Sequence, residues 1–329
     1  MIDRRTFIAG GAAGLTLAAR RPARAASAIT TQFQWIKDVQ YAGFWFADAD
    51  GYFRDAGITS TTVAGGPNVS SIAAIVAAGR ADIGVDQFER VVDANAAGAD
   101  MVVIGALYQT DPAGLLSLPA KPVRTAHDII GKRLGLQQGA KQFIDAILKV
   151  NHLPPDYSEI VVGFDPEPLV QGACDAYLCF VTNQPLALAE RHVPYVVTTF
   201  DALGYVTYAA CIFCRRETLK TNRTAVVAYL HALQRGWAAN AHDPQRGADL
   251  TVQTYGAALG LDEKWQLAVN HAQIPLMESA ETRAHGRMWV DTQRISGPIY
   301  ATLRATGRTG LPDVNRIVDM SLLTDARHG

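Results

Sequence analysis

The 329-residue chain has almost no net charge: 30 Lys and Arg against 31 Asp and Glu leave a formal charge of −1. That balance excludes the basic footprint of a nucleic-acid or anionic-membrane binder. The usual catalytic signatures are missing as well. There is no GxGxxG or GK[ST] phosphate loop, no HExxH and no GxSxG elbow, and the eight histidines are scattered along the chain. Only four cysteines occur: Cys174, Cys179, Cys211 and Cys214. Cys211 and Cys214 form a CxxC, but no second pair exists, and His192 and His231 complete no zinc spacing. The surrounding CIFCRRETL reads as the end of an apolar strand in which Cys serves as a small hydrophobe. No metal or cofactor is expected.

Apolar runs long enough for a membrane span are lacking too. The longest candidate, Ile8 to Ala19, falls short of the about 20 residues a span needs. It follows Arg4-Arg5-Thr6-Phe7-Ile8, which reads as a twin-arginine export motif. Ala23-Arg24-Ala25 places small residues where a signal peptidase cuts. Residues 1–25 are therefore expected to be a signal peptide handled by the twin-arginine export machinery. The remaining chain of about 300 residues is large enough for two lobes.

What the chain does have is a concentration of rings. Trp35, Tyr41, Phe44, Trp45 and Phe46 fall within twelve positions of a chain that is 8% aromatic. Most such clusters are core; Trp35, Tyr41 and Trp45 are the three expected to reach a ligand. Strand and helix patterns alternate from Thr31 onward, which argues for α/β lobes, and helices alone follow from Glu217. Those helices are expected over Arg223–Asn240, Pro244–Leu259, Glu263–Gln273 and Thr282–Leu303. The first lobe is read as 26–118 and 206–329, and the second as 119–205.

Strand ends supply the polar candidates, because open α/β sheets bind ligands at the carboxyl ends of their strands. In the first lobe these are Gly66 and Asn68 after Thr59–Ala64, Asp86 and Gln87 after Ala81–Val85, and Gln109 after Met101–Tyr108. In the second lobe the candidates are Gln138 at a helix start, Asp165 at the end of Ile160–Phe164, Asp175 and Tyr177 carried on the strand Asp175–Leu178, and Asn183 ahead of Pro185, with Tyr205 near the return crossing. Rings with neutral or acidic groups favour a flat, neutral or cationic heterocycle. A sulfonate or nitrate would call for a basic residue, for which Lys37, Lys141 and Arg90 are the candidates.

The segment Trp35–Ile58, then Gly65-Gly66 and AAGRADIGV (77–85), resembles the opening of the sulfonate- and thiamine-precursor-type binding proteins of ABC importers. GALYQTDPAGLLSL (105–118), DIIGKRLGL (128–136), FVTNQPLAL (180–188) and LHALQRGWAANAHDP (230–244) extend the resemblance over most of the chain. It implies a two-lobed, type II periplasmic-binding fold whose C-terminal helices pack on the first lobe. It also implies a periplasmic, monomeric receptor that captures a small molecule and serves an inner-membrane permease. A thiamine-type pyrimidine precursor is the favoured ligand, and a sulfonate- or nitrate-type anion is the alternative.

The same family includes fungal pyrimidine synthases, which use a lysine holding pyridoxal phosphate, a histidine one turn later and a CCCFC stretch associated with iron. Here the matching positions are Asp86 and Arg90, and the cysteine segment is GYVTYAACIFC. A carboxylate forms no aldimine, so the resemblance does not carry that mechanism over. A scaffold or signalling receptor without a permease is the remaining non-enzymatic reading.

Overall fold

The computed structural model describes residues 26–66, 68–69 and 71–328, so the signal expected over 1–25 lies outside the described residues. Among the described residues ten strands run in chain order as β1 (Ser27–Phe33), β2 (Ile58–Val63), β3 (Ile83–Asp86), β4 (Met101–Tyr108), β5 (Ala113–Ser117), β6 (Arg133–Leu136), β7 (Ser158–Val161), β8 (Ala176–Phe180), β9 (Val196–Thr199) and β10 (Ala209–Arg215). They form two five-stranded sheets, ordered β2-β1-β3-β10-β4 and β7-β6-β8-β5-β9. β4 is buried at every position, as expected of a strand covered on both faces.

Each sheet contains one antiparallel strand, and each of these arrives from the other lobe. β10 runs against β3 and β4, and β5 runs against β8 and β9. The outward crossing is therefore Gln109–Pro112. This corrects the boundary expected after Leu118, because Leu115–Ser117 are already paired in the second sheet. The apolar reading of that stretch was sound, but a strand leaving one sheet and one entering the next look alike in sequence. On the return, Phe200, Leu203 and Tyr205 pack in the second lobe's core and Tyr208 in the first lobe's.

The C-terminal helices pack mainly on the first lobe. The helix Arg216–His242, broken at Asn222, crosses the helix Ala42–Ala49 at very close range. A Cβ on Gly236 would stand 2.0 Å from the Gly43 carbonyl oxygen, so glycine is required at this crossing. The long helix expected over Thr282–Leu303 is instead three short pieces, Ala280–His285, Thr292–Arg294 and Tyr300–Ala305, with a π turn before the last. Gly286, at φ 98°, ends the first piece, and Pro298 sits in the π turn. Among the described residues no helix is long and apolar enough to cross a membrane.

Candidate ligand cleft

The crossings fix which edges of the sheets face each other. Tyr108 ends β4 and Ala113 begins β5, a stretch that can span at most about 18 Å. Ala113 is paired with Phe180, the last residue of β8. Ala209, the first residue of β10, is in turn paired with Tyr108. The carboxyl ends of the parallel strands in both sheets therefore meet at the crossings, the position where such sheets bind ligands.

At the first lobe's edge, Trp35 is 40% exposed just beyond β1. Its backbone is held: the N–H donates to the Tyr41 hydroxyl at 3.2 Å, and its carbonyl accepts from Gly65 N–H at 2.8 Å. Tyr41 and Trp45 depart from expectation, because both have no exposed surface. Tyr41 stacks on Phe33 at 3.8 Å, and Trp45 stacks on Tyr255 at 4.5 Å and donates its indole N–H to the Asp38 carbonyl. Tyr255 of the C-terminal segment covers Trp45, and Phe33, Phe44 and Trp45 surround Tyr41, so neither ring is left for a ligand. That segment also reaches the turn between Trp35 and Tyr41: Gln266 accepts from Val39 N–H at 2.9 Å, and Gln273 donates to the Val39 carbonyl at 2.8 Å.

Asp86 and Gln87 are half-buried at the end of β3, where Asp86 Oδ1 caps the Gln87 N–H at 2.8 Å. Asn68 is exposed. Gly66 offers no free backbone donor, because its N–H is bonded to the Gln34 carbonyl at 3.1 Å. Gln109 is corrected as well. It is 1% exposed, and its side chain is used between the Trp289 carbonyl at 3.0 Å and the Ser279 hydroxyl at 3.1 Å.

In the second lobe, Gln138, Asp165 and Asn183 are exposed beyond β6, β7 and β8. Asp175 is at the other end of β8, bonded to Lys121 and Arg133 at 2.9–3.1 Å, and faces away from the crossings. Arg133 holds its carboxyl well below the usual range. Tyr177 is buried, with its hydroxyl donated to the Gly163 carbonyl at 2.6 Å. Tyr205 is 2% exposed in the second core, and its hydroxyl has no partner.

Sequence reasoning missed the second lobe's own rings. Phe164 and Phe180, 70% and 41% exposed, sit at the ends of β7 and β8. Buried Gln184 ties their loops together, accepting from the Phe180 N–H at 2.8 Å and donating to the Phe164 carbonyl at 3.2 Å. Gln137 was missed too. Its amide nitrogen donates to the Gly163 and Leu178 carbonyls at 3.0 and 3.1 Å, while its Oε1 is buried without a partner. Gln87 Oε1 is likewise unpartnered.

The edge is acidic. Burial pushes Asp38 and Glu89 up to about 7, and Asp86 and Asp111 up to about 6. Of the basic candidates, Lys141 is bonded to Asp145 and Tyr157, and Lys37 lies near Asp48. Arg90 is exposed close to Asp86 and has no ion-pair partner among the described residues. All four cysteines are free thiols in the interior, and burial pushes that of Cys214 up to about 12.

A family model described as NMT1/THI5 like matches residues 38–247. A 4-amino-5-hydroxymethyl-2-methylpyrimidine phosphate synthase of Legionella pneumophila is 24% identical over 235 residues, covering 69% of this chain and 73% of the synthase. The periplasmic aliphatic sulphonate binding protein SsuA of Escherichia coli superposes with a TM-score of 0.62 at 16% identity, over 88% of this chain and 91% of that one. A periplasmic sulfonate-binding SsuA of Methylobacillus flagellatus gives a TM-score of 0.66 at 16% identity, over 92% and 94%. The fold is thus the two-lobed α/β type II periplasmic-binding-protein fold, and identities this low carry the fold alone.

Proposed function

Because this chain belongs to the NMT1/THI5 like family, we propose that it is an exported receptor that closes two lobes on a flat heterocycle, a thiamine-type pyrimidine precursor, and passes it to an ABC permease. One observation carries the reading: rings stand in solvent at the carboxyl edges of both sheets, Trp35 on the first and Phe164 and Phe180 on the second. Anchored backbones hold these rings where water gains nothing from them. A flat ligand between them would bury apolar surface on both its faces as the lobes close. The crossings at Gln109–Pro112 and between Tyr205 and Tyr208 are the hinge, and contacts made to both lobes would favour the closed state. Asp86, Gln87, Gln137, Gln138, Asp165 and Asn183 are the polar groups available to fix the ligand's edge.

The synthase activity named for the relative fits these residues poorly. The position matched to the cofactor-holding lysine is Asp86, and Cys211 and Cys214 lie inside β10 with no exposed surface. A sulfonate-type anion is the second reading, favoured by exposed Arg90.

A thermal-shift screen of the mature protein tests the reading, using pyrimidines, thiamine precursors, sulfonates, nitrate and pyridoxal phosphate. A ligand at 100 times its dissociation constant should add about 2.7 kcal/mol of stability. Stabilisation by an aminopyrimidine supports the receptor. Stabilisation by pyridoxal phosphate with aldimine absorbance would overturn it in favour of the synthase.

A further inference from the structure

Side-chain oxygens near the cleft edges are buried without a hydrogen-bond partner among the described residues. The Gln137 amide cannot be turned round, because its nitrogen faces the carbonyl oxygens of Gly163 and Leu178, which only accept. Its Oε1 is therefore a fixed, unpartnered acceptor at the second lobe's edge. Across the crossings, Gln87 has one buried, unpartnered end of its amide, which can turn to accept or to donate, beside the half-buried Asp86 carboxylate. Tyr205, its hydroxyl unpartnered and its ring almost wholly buried, lies near Glu89 and Asp111. A buried acceptor without a donor costs free energy, and a ligand that donates to it relieves that cost.

Resting on the receptor reading above, we propose that the cleft selects a cation: a flat ring with delocalised positive charge whose N–H groups donate to Asp86 on one lobe and to Gln137 Oε1 on the other. The rings at the edges suit such a ligand, since aromatic faces attract cations. An anion would meet two fixed acceptors, the Asp86 carboxylate and Gln137 Oε1, and lose its hydration on closure. The groups around Asp86 agree with this choice. Tyr41 and Cys211 are neutral, and Glu89 and Asp111 are close enough to act on the same groups. Asp38 also lies near Tyr41 and has no ion-pair partner among the described residues. Arg90 and Arg308 are the nearby cations; Arg308 is bonded to Asp93, which leaves exposed Arg90. A fixed cation beside Asp86 favours its ionised form, so binding releases a proton wherever free Asp86 still holds one, below about pH 6.

Three aromatic probes of different charge make the test: 4-amino-1-methylpyridinium, its neutral isostere p-toluidine, and the anion benzenesulfonate, each titrated calorimetrically into the mature protein. At about pH 7.5 the pyridinium should bind at least about tenfold more tightly than p-toluidine, with benzenesulfonate weakest. Its affinity should fall by about tenfold toward pH 5, with buffer-dependent heats reporting the released proton. Asp86→Asn should erase both the preference and the pH dependence, and Arg90→Gln should leave them in place. Tighter binding of benzenesulfonate, lost in Arg90→Gln, would overturn the cation inference and leave a receptor of the anion class. Equal binding of the pyridinium and p-toluidine would also overturn it. Failure of all three rings and of every heterocycle in the screen would overturn the receptor reading with it.

Discussion

The Trp45 indole lies flat on the Tyr255 ring, with centroids 4.5 Å apart and planes 9° from parallel. This pair joins the helix Ala42–Ala49 to the C-terminal region and leaves Trp45 no exposed surface. Trp45→Ala should therefore act on the fold, lowering stability by about 3–5 kcal/mol in denaturant unfolding. Trp35→Ala is the contrasting variant: stability nearly unchanged, ligand affinity lower by about 1–3 kcal/mol if the ring stacks on the ligand. Calorimetry finding wild-type affinity in a folded Trp35→Ala would remove Trp35 from the site.

Gln184 holds the second lobe's rings through one side chain, bonded to the Phe180 N–H and the Phe164 carbonyl. Gln184→Leu would orphan both backbone groups and cost about 1–3 kcal/mol of stability. Affinity should fall as well, because the two rings lose their common anchor. Gln184→Glu keeps the acceptor for Phe180 and removes the donor to Phe164, so its loss of affinity should be smaller. Equal affinity in all three proteins would make the tie purely structural.

Much of the fold was legible because strand and helix periods alternate in order, and a carboxyl-end rule then points to loops such as that of Trp35. Tyr41 is enclosed by its sequence neighbours Phe33, Phe44 and Trp45, whereas Trp45 was misread because its cover, Tyr255, comes from more than 200 positions away and is tied by its hydroxyl to Asp48 across a separation of 207. No local pattern reports such a contact. Phe164 and Phe180 were missed for the converse reason. A lone Phe at a strand end looks like core, and only the arrangement of the sheets leaves it in water. Asp175 could have been placed from sequence, since it precedes its strand, and strand direction puts it on the side away from the crossings.

Asp175 thus supplies a control. Its bonds to Arg133 and Lys121 are on the far side of the second lobe. Asp175→Asn should lower stability by about 1–3 kcal/mol, because its largely covered carboxylate accepts from Lys121 and from both the Arg133 side chain and N–H. Ligand affinity should not change. A drop in affinity at constant fold would mean that the far edge communicates with the cleft.

The buried carboxylates set an unusual dependence of stability on pH. Asp38 and Glu89 are raised to about 7 in the folded protein, and Asp86 and Asp111 to about 6. The unfolded chain loses these protons near pH 4. Between about pH 4 and 7 the folded state therefore binds more protons, and stability falls as pH rises through that window. Asp175, held in the opposite direction, contributes fully above about pH 4 and adds no slope there. The melting temperature of the ligand-free protein should decline from about pH 5 to 7.5. Asp38→Asn should flatten the decline, since an amide oxygen can still accept the Gln40 N–H. A melting temperature that rises over this range would refute the buried-acid account. The stabilisation produced by a fixed cation should have the opposite sign, growing as pH rises, because that ligand prefers the ionised Asp86 that folding alone disfavours.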